Sequence, residues 1–375
     1  MSDMIVIPPE LLPSDGRFGS GPGKVQSQFV AALADAATGY LGTSHRQSAV
    51  RAVVGRVREG LADLFDLPDG YEVLLGNGGS TAFWDAASFG LIDDRAQHVV
   101  IGEFSQKFAT VVERAPHLEA PEIIETQPGL SPAPCRASTD VDAYCYPHNE
   151  TSTGVMMNVV RPSGATGVVL VDGTSAAGGV RVDAAQFDVY YFAPQKCFGG
   201  DGGLWLALVS PAGVERIETL AASDRWRPAS LDLGIALEQS RLNQTYNTPA
   251  LSTIFLLAQQ VAWMIANGGL EGMATRCDTS AATLYSWAEH HPSVTPFVAN
   301  EADRSHVTAT LDFDPSVDAV QLAATLRANG ILDTEPYRKL GRNQLRIAMF
   351  PNIDPDDITQ LTRSLDFVLE RVSPA

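Results

Sequence analysis

Three apolar runs crowd the middle of the chain: Gly167-Val-Val-Leu-Val, Asp188-Val-Tyr-Tyr-Phe and Leu204-Trp-Leu-Ala-Leu-Val. Each is short, rich in β-branched or aromatic residues, and mostly continuous rather than alternating. That is the pattern of a strand buried on both faces. Upstream, Tyr71-Glu-Val-Leu-Leu and Gln97-His-Val-Val-Ile read as strands, each followed by a helical pattern, over 81–91 and 104–114. Strands alternating with helices predict an α/β fold with a large, mainly parallel sheet covered on both sides. At 375 residues the chain is too long for one ordinary domain. The pattern changes after Asn267-Gly268-Gly269, where a smaller α+β layer is expected. It comprises a helix over 274–290, a strand over 307–313, a helix over 317–329, a strand pair over 331–336 and 344–349, and a last helix over 355–372. The expected division is 20–266 for the large domain, with 1–19 and 267–375 forming the small one.

Composition narrows the function. With 45% hydrophobic and 19% charged residues, the chain has ample material for a large core. Its formal net charge of -18 makes a phosphate backbone a poor partner, so no nucleic acid is expected. A few convergent arginines can still dominate one cleft, so a small anionic substrate remains open. The four cysteines, at 135, 145, 197 and 277, form no C-x-x-C pair and show no zinc-finger spacing, so no metal is expected. Reduced thiols in the cytoplasm are the simplest reading. The run Met4-Ile5-Val6-Ile7 is short and follows Asp3, which argues against a secretory leader. The most membrane-like stretch, over 253–265, is interrupted by Gln259 and Gln260 and reads as a buried helix, so no membrane is expected. The Pro, Gly and Ser content of 128–138 marks a surface loop.

The chemistry concentrates around two residues. Asp172 ends an apolar strand, which in a parallel sheet puts its carboxylate at the edge where ligands bind. Lys196 follows the next strand through Ala193-Pro194-Gln195 and precedes the glycine-rich Cys197-Phe-Gly-Gly-Asp-Gly-Gly. A lysine amine near a strand-end aspartate suits pyridoxal 5'-phosphate (PLP). The amine attacks the aldehyde, and the carboxylate keeps the pyridine nitrogen protonated so that the ring can act as an electron sink. Taken singly, Asp172 reads as a cap and Lys196 as an exposed loop lysine. Their spacing and glycine-rich surroundings favour the functional reading.

A second element, Gly76-Asn-Gly-Gly-Ser80-Thr81, joins a strand to a helix. Its glycines let the backbone approach a phosphate, the helix N-terminus favours an anion, and two hydroxyls add donors. A tight turn with an N-cap is the plain alternative. A dinucleotide loop is weakened because Thr81 stands where the third glycine belongs. The early Gly19-Ser-Gly-Pro-Gly-Lys24 also looks phosphate-like, but Pro22 removes a donor and no strand precedes it. The third element is a set of cations: His45-Arg46, then Arg338, Arg342 and Arg346. Arg346 lies in an apolar strand, where a guanidinium needs an anionic partner, either a substrate carboxylate or a structural acid. No H-E-x-x-H, G-x-S-x-G or Walker lysine is present.

Together these residues resemble the phosphoserine aminotransferase family, in the class V group of fold type I PLP enzymes. The resemblance runs from about Gly19 to near the C-terminus. It is carried by Gly19-Ser-Gly-Pro, Thr43-Ser-His45-Arg46, Gly76-Asn-Gly-Gly-Ser80-Thr81, His148-Asn-Glu-Thr151, Asp172, Gln195-Lys196, Thr245-Tyr-Asn247-Thr248-Pro249 and Leu345-Arg346. It implies that Lys196 forms the Schiff base with PLP and moves the proton, and that Asp172 pairs with the ring nitrogen. Ser80, Thr81 and Gln195 would bind the cofactor phosphate, Phe104 would stack on the ring and Thr151 would touch its hydroxyl. Asn247 and Thr248 would reach the cofactor phosphate of a neighbouring subunit, which implies a homodimer with shared active sites. His45 and Arg46, also from the neighbour, would bind the substrate's distal anion, and Arg346 would take the α-carboxylate. The implied reaction moves the amino group of L-glutamate to 3-phosphohydroxypyruvate, giving O-phospho-L-serine and 2-oxoglutarate. In many bacteria the same family also serves pyridoxine synthesis.

The chain departs from the family pattern in three places. Phe104 stands for a common tryptophan, Ser80 for a common arginine, and Lys339-Leu340 for a common His-Arg pair. Lys339, Arg338 or Arg342 would then supply the displaced phosphate contacts. Rival readings are another class V aminotransferase, such as an alanine–glyoxylate or serine–pyruvate enzyme, a cysteine desulfurase, or a regulatory module on the same fold. A desulfurase needs a mobile cysteine away from the lysine, and Cys197 adjoins Lys196.

Overall fold

The computed structural model describes residues 5–132 and 135–372. Residues 1–4, 133–134 and 373–375, which belong to the expected N-terminal segment, surface loop and C-terminal segment, lie outside that description. Along the chain come helices α1 (Ser27–Tyr40) and α2 (Ser48–Leu64), strand β1 (Glu72–Asn77), α3 (Gly79–Gly90), β2 (Ala96–Val100), α4 (Glu103–Arg114) and β3 (Glu122–Glu125). Then follow β4 (Ala143–Pro147), the short hairpin β5 (Asn149–Glu150) and β6 (Val155–Met156), β7 (Val168–Asp172), β8 (Val189–Phe192) and β9 (Leu204–Val209). Helices α5 (Pro211–Ala221), α6 (Leu233–Arg241), α7 (Leu251–Ala266) and α8 (Gly269–His290) lead to β10 (Val294–Pro296), β11 (Thr308–Phe313), α9 (Ala319–Ala328), β12 (Gln344–Ala348) and α10 (Pro355–Leu369).

Among the described residues the large sheet has seven strands in the order β1-β9-β8-β7-β4-β2-β3. β7 pairs parallel with both β4 and β8, and β2 pairs parallel with β3 and β4. β9 runs antiparallel to β8 and β1, so the remaining strands point one way. The continuous apolar runs have a direct cause. Side chains alternate across a strand, so Val169, Val171, Tyr190, Phe192, Leu206 and Leu208 enter the core beneath α2 and α7. Val168, Leu170, Val189, Tyr191, Trp205 and Ala207 enter a second core under α3 to α6. Both faces are covered, so polar positions have no place within these strands. The apolar stretch over 253–265 falls in α7, most of it buried against α2. Among the described residues no single helix is long and apolar enough to cross a membrane.

A third core joins Ile7 and Phe18 to α8, β11, α9, β12 and α10, around the antiparallel sheet β10-β11-β12. Two details differ from expectation. The helix expected from 274 begins five residues earlier, at Gly269, because Gly268 turns the chain in a left-handed conformation, φ +96°. The strand expected over 331–336 is absent. Asp333 sits at φ +62°, which breaks an extended run, and the segment only brackets β12, with Thr334 accepting a bond from the Arg346 amide at 3.0 Å. The third strand is β10 instead.

Every strand that points with β7 delivers its C-terminal end to one edge. Asn77, Val100, Pro147, Asp172 and Phe192 end there, and in open parallel sheets that edge is where ligands sit.

Candidate active site

That edge holds a cavity of about 410 Å³, a size suited to a small ligand. Gly78, Gly79, Ser80 and Thr81 line it from the β1–α3 turn, Phe104 from the start of α4, and Thr151 from the turn after β5. Asp172 enters from the end of β7, and Gln195 and Lys196 from the loop after β8. All seven of the residues expected to form the cofactor site from within one chain therefore share one cavity. Gly21 and Pro22 close it from the N-terminal segment.

Lys196 is half-buried, and its Nζ donates to the Ser20 carbonyl at 2.6 Å. Gly21 packs against that Nζ at φ +142°, a backbone conformation that favours glycine. Burial, then the charge of Arg346, push the Lys196 ammonium down to about 8. An amine tuned so is a nucleophile near neutral pH. Asp172 has the opposite problem: burial drives its carboxyl upward, against the donors that hold it. Its Oδ1 accepts the Thr174 amide at 2.8 Å, and its Oδ2 accepts the Tyr191 hydroxyl at 3.0 Å.

Helix α3 follows Gly78, φ +111°, without a side-chain cap, so its first-turn N–H groups have no side-chain acceptor at the cavity wall. Ser80 Oγ stands 2.7 Å from Thr174 Oγ1. An uncapped helix start with two hydroxyls fits a phosphate. A buried Gln195 Oε1 and Ser20 Oγ without protein partners add polar atoms around the same space. The ring of Phe104 lies 5.8 Å from Lys196 Nζ. A flat pyridine ring with a phosphate tail fits this set: an amine, a carboxylate, an aromatic face and an anion cradle.

Arg346 is half-buried on β12, and one N–H contacts the Thr151 carbonyl at 3.3 Å. Its guanidinium lies 5.3 Å from the Tyr337 ring centre. Among the described residues no carboxylate comes within ion-pair distance, so the structural-acid alternative for Arg346 has no partner. The other cations of that region differ. Arg342 is paired with Asp312 at 2.5 Å, and Lys339 with Glu103. Arg338 is exposed.

His45, Arg46, Asn247 and Thr248 do not line the Lys196 cavity of their own chain. They gather instead beside the end of β1. His45 Nδ1 lies 3.2 Å from Thr248 Oγ1, Arg46 contacts Gln239 and Gln244, and Asn77 donates to Asn247 at 2.5 Å. Asn247 and Thr248 are exposed.

Three residues of the site escaped sequence reasoning. Glu150 is fully buried on the cavity wall and accepts from Phe104 N, Ser105 N, Ser105 Oγ, Ser152 N and Ser152 Oγ. It caps α4 and so aims Phe104. Its place inside His148-Asn-Glu-Thr151 was the available signal. Trp84 and Tyr191 meet Asp172 across 88 and 19 residues, and nothing local in the sequence announces that.

The aminotransferase class-V family model matches residues 18–334. The chain belongs to that family. A phosphoserine aminotransferase of Nocardioides sp. is 57% identical, covering 99% of this chain and 100% of its own. One of Corynebacterium glutamicum is 55% identical, covering 99% and 98%. The crystal structure of a phosphoserine aminotransferase from Cytophaga hutchinsonii shares the fold, with a TM-score of 0.86 at 24% identity over 96% of this chain and 100% of that one.

The electrostatics make a testable statement about the cofactor-free protein. Labelling of Lys196 by an amine-specific acylating reagent, followed by mass spectrometry, should rise with pH and level off above about 8. Arg346→Met removes a cation that disfavours the ammonium, so its midpoint should move upward. A midpoint that stays put would show that Arg346 does not act on Lys196.

Proposed function

We propose that the protein transfers the amino group of L-glutamate to 3-phosphohydroxypyruvate, giving 2-oxoglutarate and O-phospho-L-serine, as a homodimer in the cytoplasm. The observation that carries the reading is the meeting of Lys196, Asp172 and the uncapped start of α3 in one cavity. The names of relatives more than half identical over nearly the whole chain support the choice of substrate. Four free, buried cysteines accord with a reducing compartment. The separate core around β10-β11-β12, which takes in Ile7 and Phe18, supports a small domain of 1–19 with 267–375 beside a large one of 20–266.

In this reading Lys196 would hold pyridoxal 5'-phosphate, and Ser80, Thr81, Gln195 and the α3 N–H groups would bind its phosphate. Phe104 would take the ring face, Thr151 the ring hydroxyl and Asp172 the ring nitrogen. The bound cofactor supplies an electron sink for the pair left behind when the substrate Cα loses its proton. Lys196, its ammonium lowered by burial and by the charge of Arg346, would take that proton from the substrate Cα and serve as the acid–base group of the site. Arg346 orients the substrate by its α-carboxylate, a group that both partners carry. His45 and Arg46, with Asn247 and Thr248, complete the site of the adjoining subunit, which explains why they line no part of their own chain's cavity. Both substrates also carry a distal anion, so one cationic site serves both halves of the reaction.

A distal site built for a phosphate leaves buried donors unpaired when the phosphate is missing, at a cost on the order of 2–5 kcal/mol. At roughly 1.4 kcal/mol per tenfold, 3-phosphohydroxypyruvate should exceed pyruvate by about one to three orders of magnitude in kcat/KM. Alanine at His45 and Arg46 should collapse that preference, whereas Arg346→Ala should impair all α-keto acids alike. Glutamate-coupled assays of each keto acid with each variant read this out, and equal use of pyruvate by the unmodified enzyme contradicts the substrate assignment.

The shared site has its own test. Lys196→Ala and Arg46→Ala homodimers should both be inactive, yet mixing them should restore activity, because each hybrid holds one site with both residues intact. Demonstrated subunit exchange without recovery removes the cross-subunit role of Arg46.

A further inference from the structure

Asp172 has a built support behind it. The Trp84 indole N–H lies 3.0 Å from the Tyr191 oxygen and 3.3 Å from Asp172 Oδ2, while the Tyr191 hydroxyl lies 3.0 Å from the same Oδ2. An indole N–H can only donate. Donation onto the Tyr191 oxygen leaves that hydroxyl's own proton for the carboxylate. The groups then form a one-way chain, indole to phenol to carboxylate, in which each bond polarises the next.

Packing locks the chain in place. Tyr191 stacks on Phe83 at 4.4 Å and meets Phe108 edge-on at 6.1 Å, and Trp84 stacks on Phe108 at 6.2 Å. Tyr191 is fully buried and Trp84 nearly so. His98 and Cys145 share a small cavity with Asp172 and Tyr191. Burial keeps both neutral, the imidazole by lowering it to about 3 and the thiol by raising it. Among the described residues, the groups that hold this carboxylate are Thr174, through its amide and its hydroxyl, and behind it Tyr191 and Trp84.

We propose that Trp84 and Tyr191 are positioning residues that keep the shared proton on the ring nitrogen of the bound cofactor rather than on Asp172; this rests on the cofactor reading above. A carboxylate facing a pyridinium competes with a carboxylic acid facing a neutral pyridine. Burial favours the neutral pair, because it penalises charge. Donors on Oδ2 favour the charged pair, because hydrogen bonds to an ionised acceptor are about twice as strong as those to a neutral one. The dyad tips that balance toward the pyridinium, the form that draws electrons from Cα.

The experiment loads the full-length enzyme with pyridoxal phosphate carrying ¹⁵N at the ring nitrogen and records solid-state ¹⁵N NMR without substrate. The unmodified protein should show a pyridinium shift. Tyr191→Phe, which keeps the ring and its stacking, should move the signal toward neutral pyridine, and Trp84→Phe should move it less in the same direction. Amino transfer from glutamate in a single turnover should slow about tenfold in Tyr191→Phe, the scale of other outer-sphere losses, with glutamate affinity unchanged. Phe83→Leu disturbs the packing but spares the hydroxyl, so it should lower the melting temperature and leave the shift alone. If Asp172→Asn moves the signal and neither Tyr191→Phe nor Trp84→Phe does, the inference falls while the cofactor reading stands. If Asp172→Asn leaves the signal unmoved, Asp172 does not face the ring nitrogen and both fall.

Discussion

A carboxylate held at the buried end of a central strand is the constraint around which this site is organised. Asp172 sits where β7 ends between two parallel neighbours, and burial raises its carboxyl above the ordinary value. It persists as an acceptor because the Thr174 amide, the Tyr191 hydroxyl and the Trp84 indole converge on it. Those donors come from the turn after β7, from β8 and from α3, so the sheet register and the helix docking must be right before the carboxylate can exist. The same register carries Lys196 past the end of β8 into the cavity. Fold and chemistry are thus one set of distances.

The second organising feature is charge placement in an acidic chain. Of 26 lysines and arginines against 44 acids, most cations near the site are already matched: Lys339 to Glu103, Arg342 to Asp312 and Lys107 to Glu103. Arg346 is not, although it is half-buried. A partly desolvated guanidinium without an acid is costly unless a ligand supplies one, and its nearness also depresses Lys196. One half-buried guanidinium without an acid therefore also lowers the neighbouring amine.

How much of this was legible follows from distance along the chain. The strands around Asp172 were readable because burial on both faces forces continuous apolar runs, and Asp172 stood out as the polar residue that ends one. Lys196 was readable through the glycines that follow it. A helix over 81–91 was readable behind a glycine turn, and it spans Gly79–Gly90. β4 was missed, although Ala-Tyr-Cys-Tyr-Pro is wholly buried, because its aromatic and small residues lie next to a loop-like stretch. A strand was expected over 331–336, but Asp333 at positive φ breaks the ladder there, a conformation with no local signature beyond a common aspartate. Glu150, Trp84 and Tyr191 act through contacts that exist only once the sheet has formed. His45, Arg46, Asn247 and Thr248 stand apart from the cavity of their own chain, as the family resemblance of their motifs implied.

The most direct test of the account is an absorbance experiment on the purified protein loaded with pyridoxal phosphate. The account predicts a visible band from cofactor held on Lys196, lost when L-glutamate is added and restored by 3-phosphohydroxypyruvate after excess glutamate is removed. A band that survives in Lys196→Ala, or that glutamate leaves untouched in the unmodified enzyme, would contradict it.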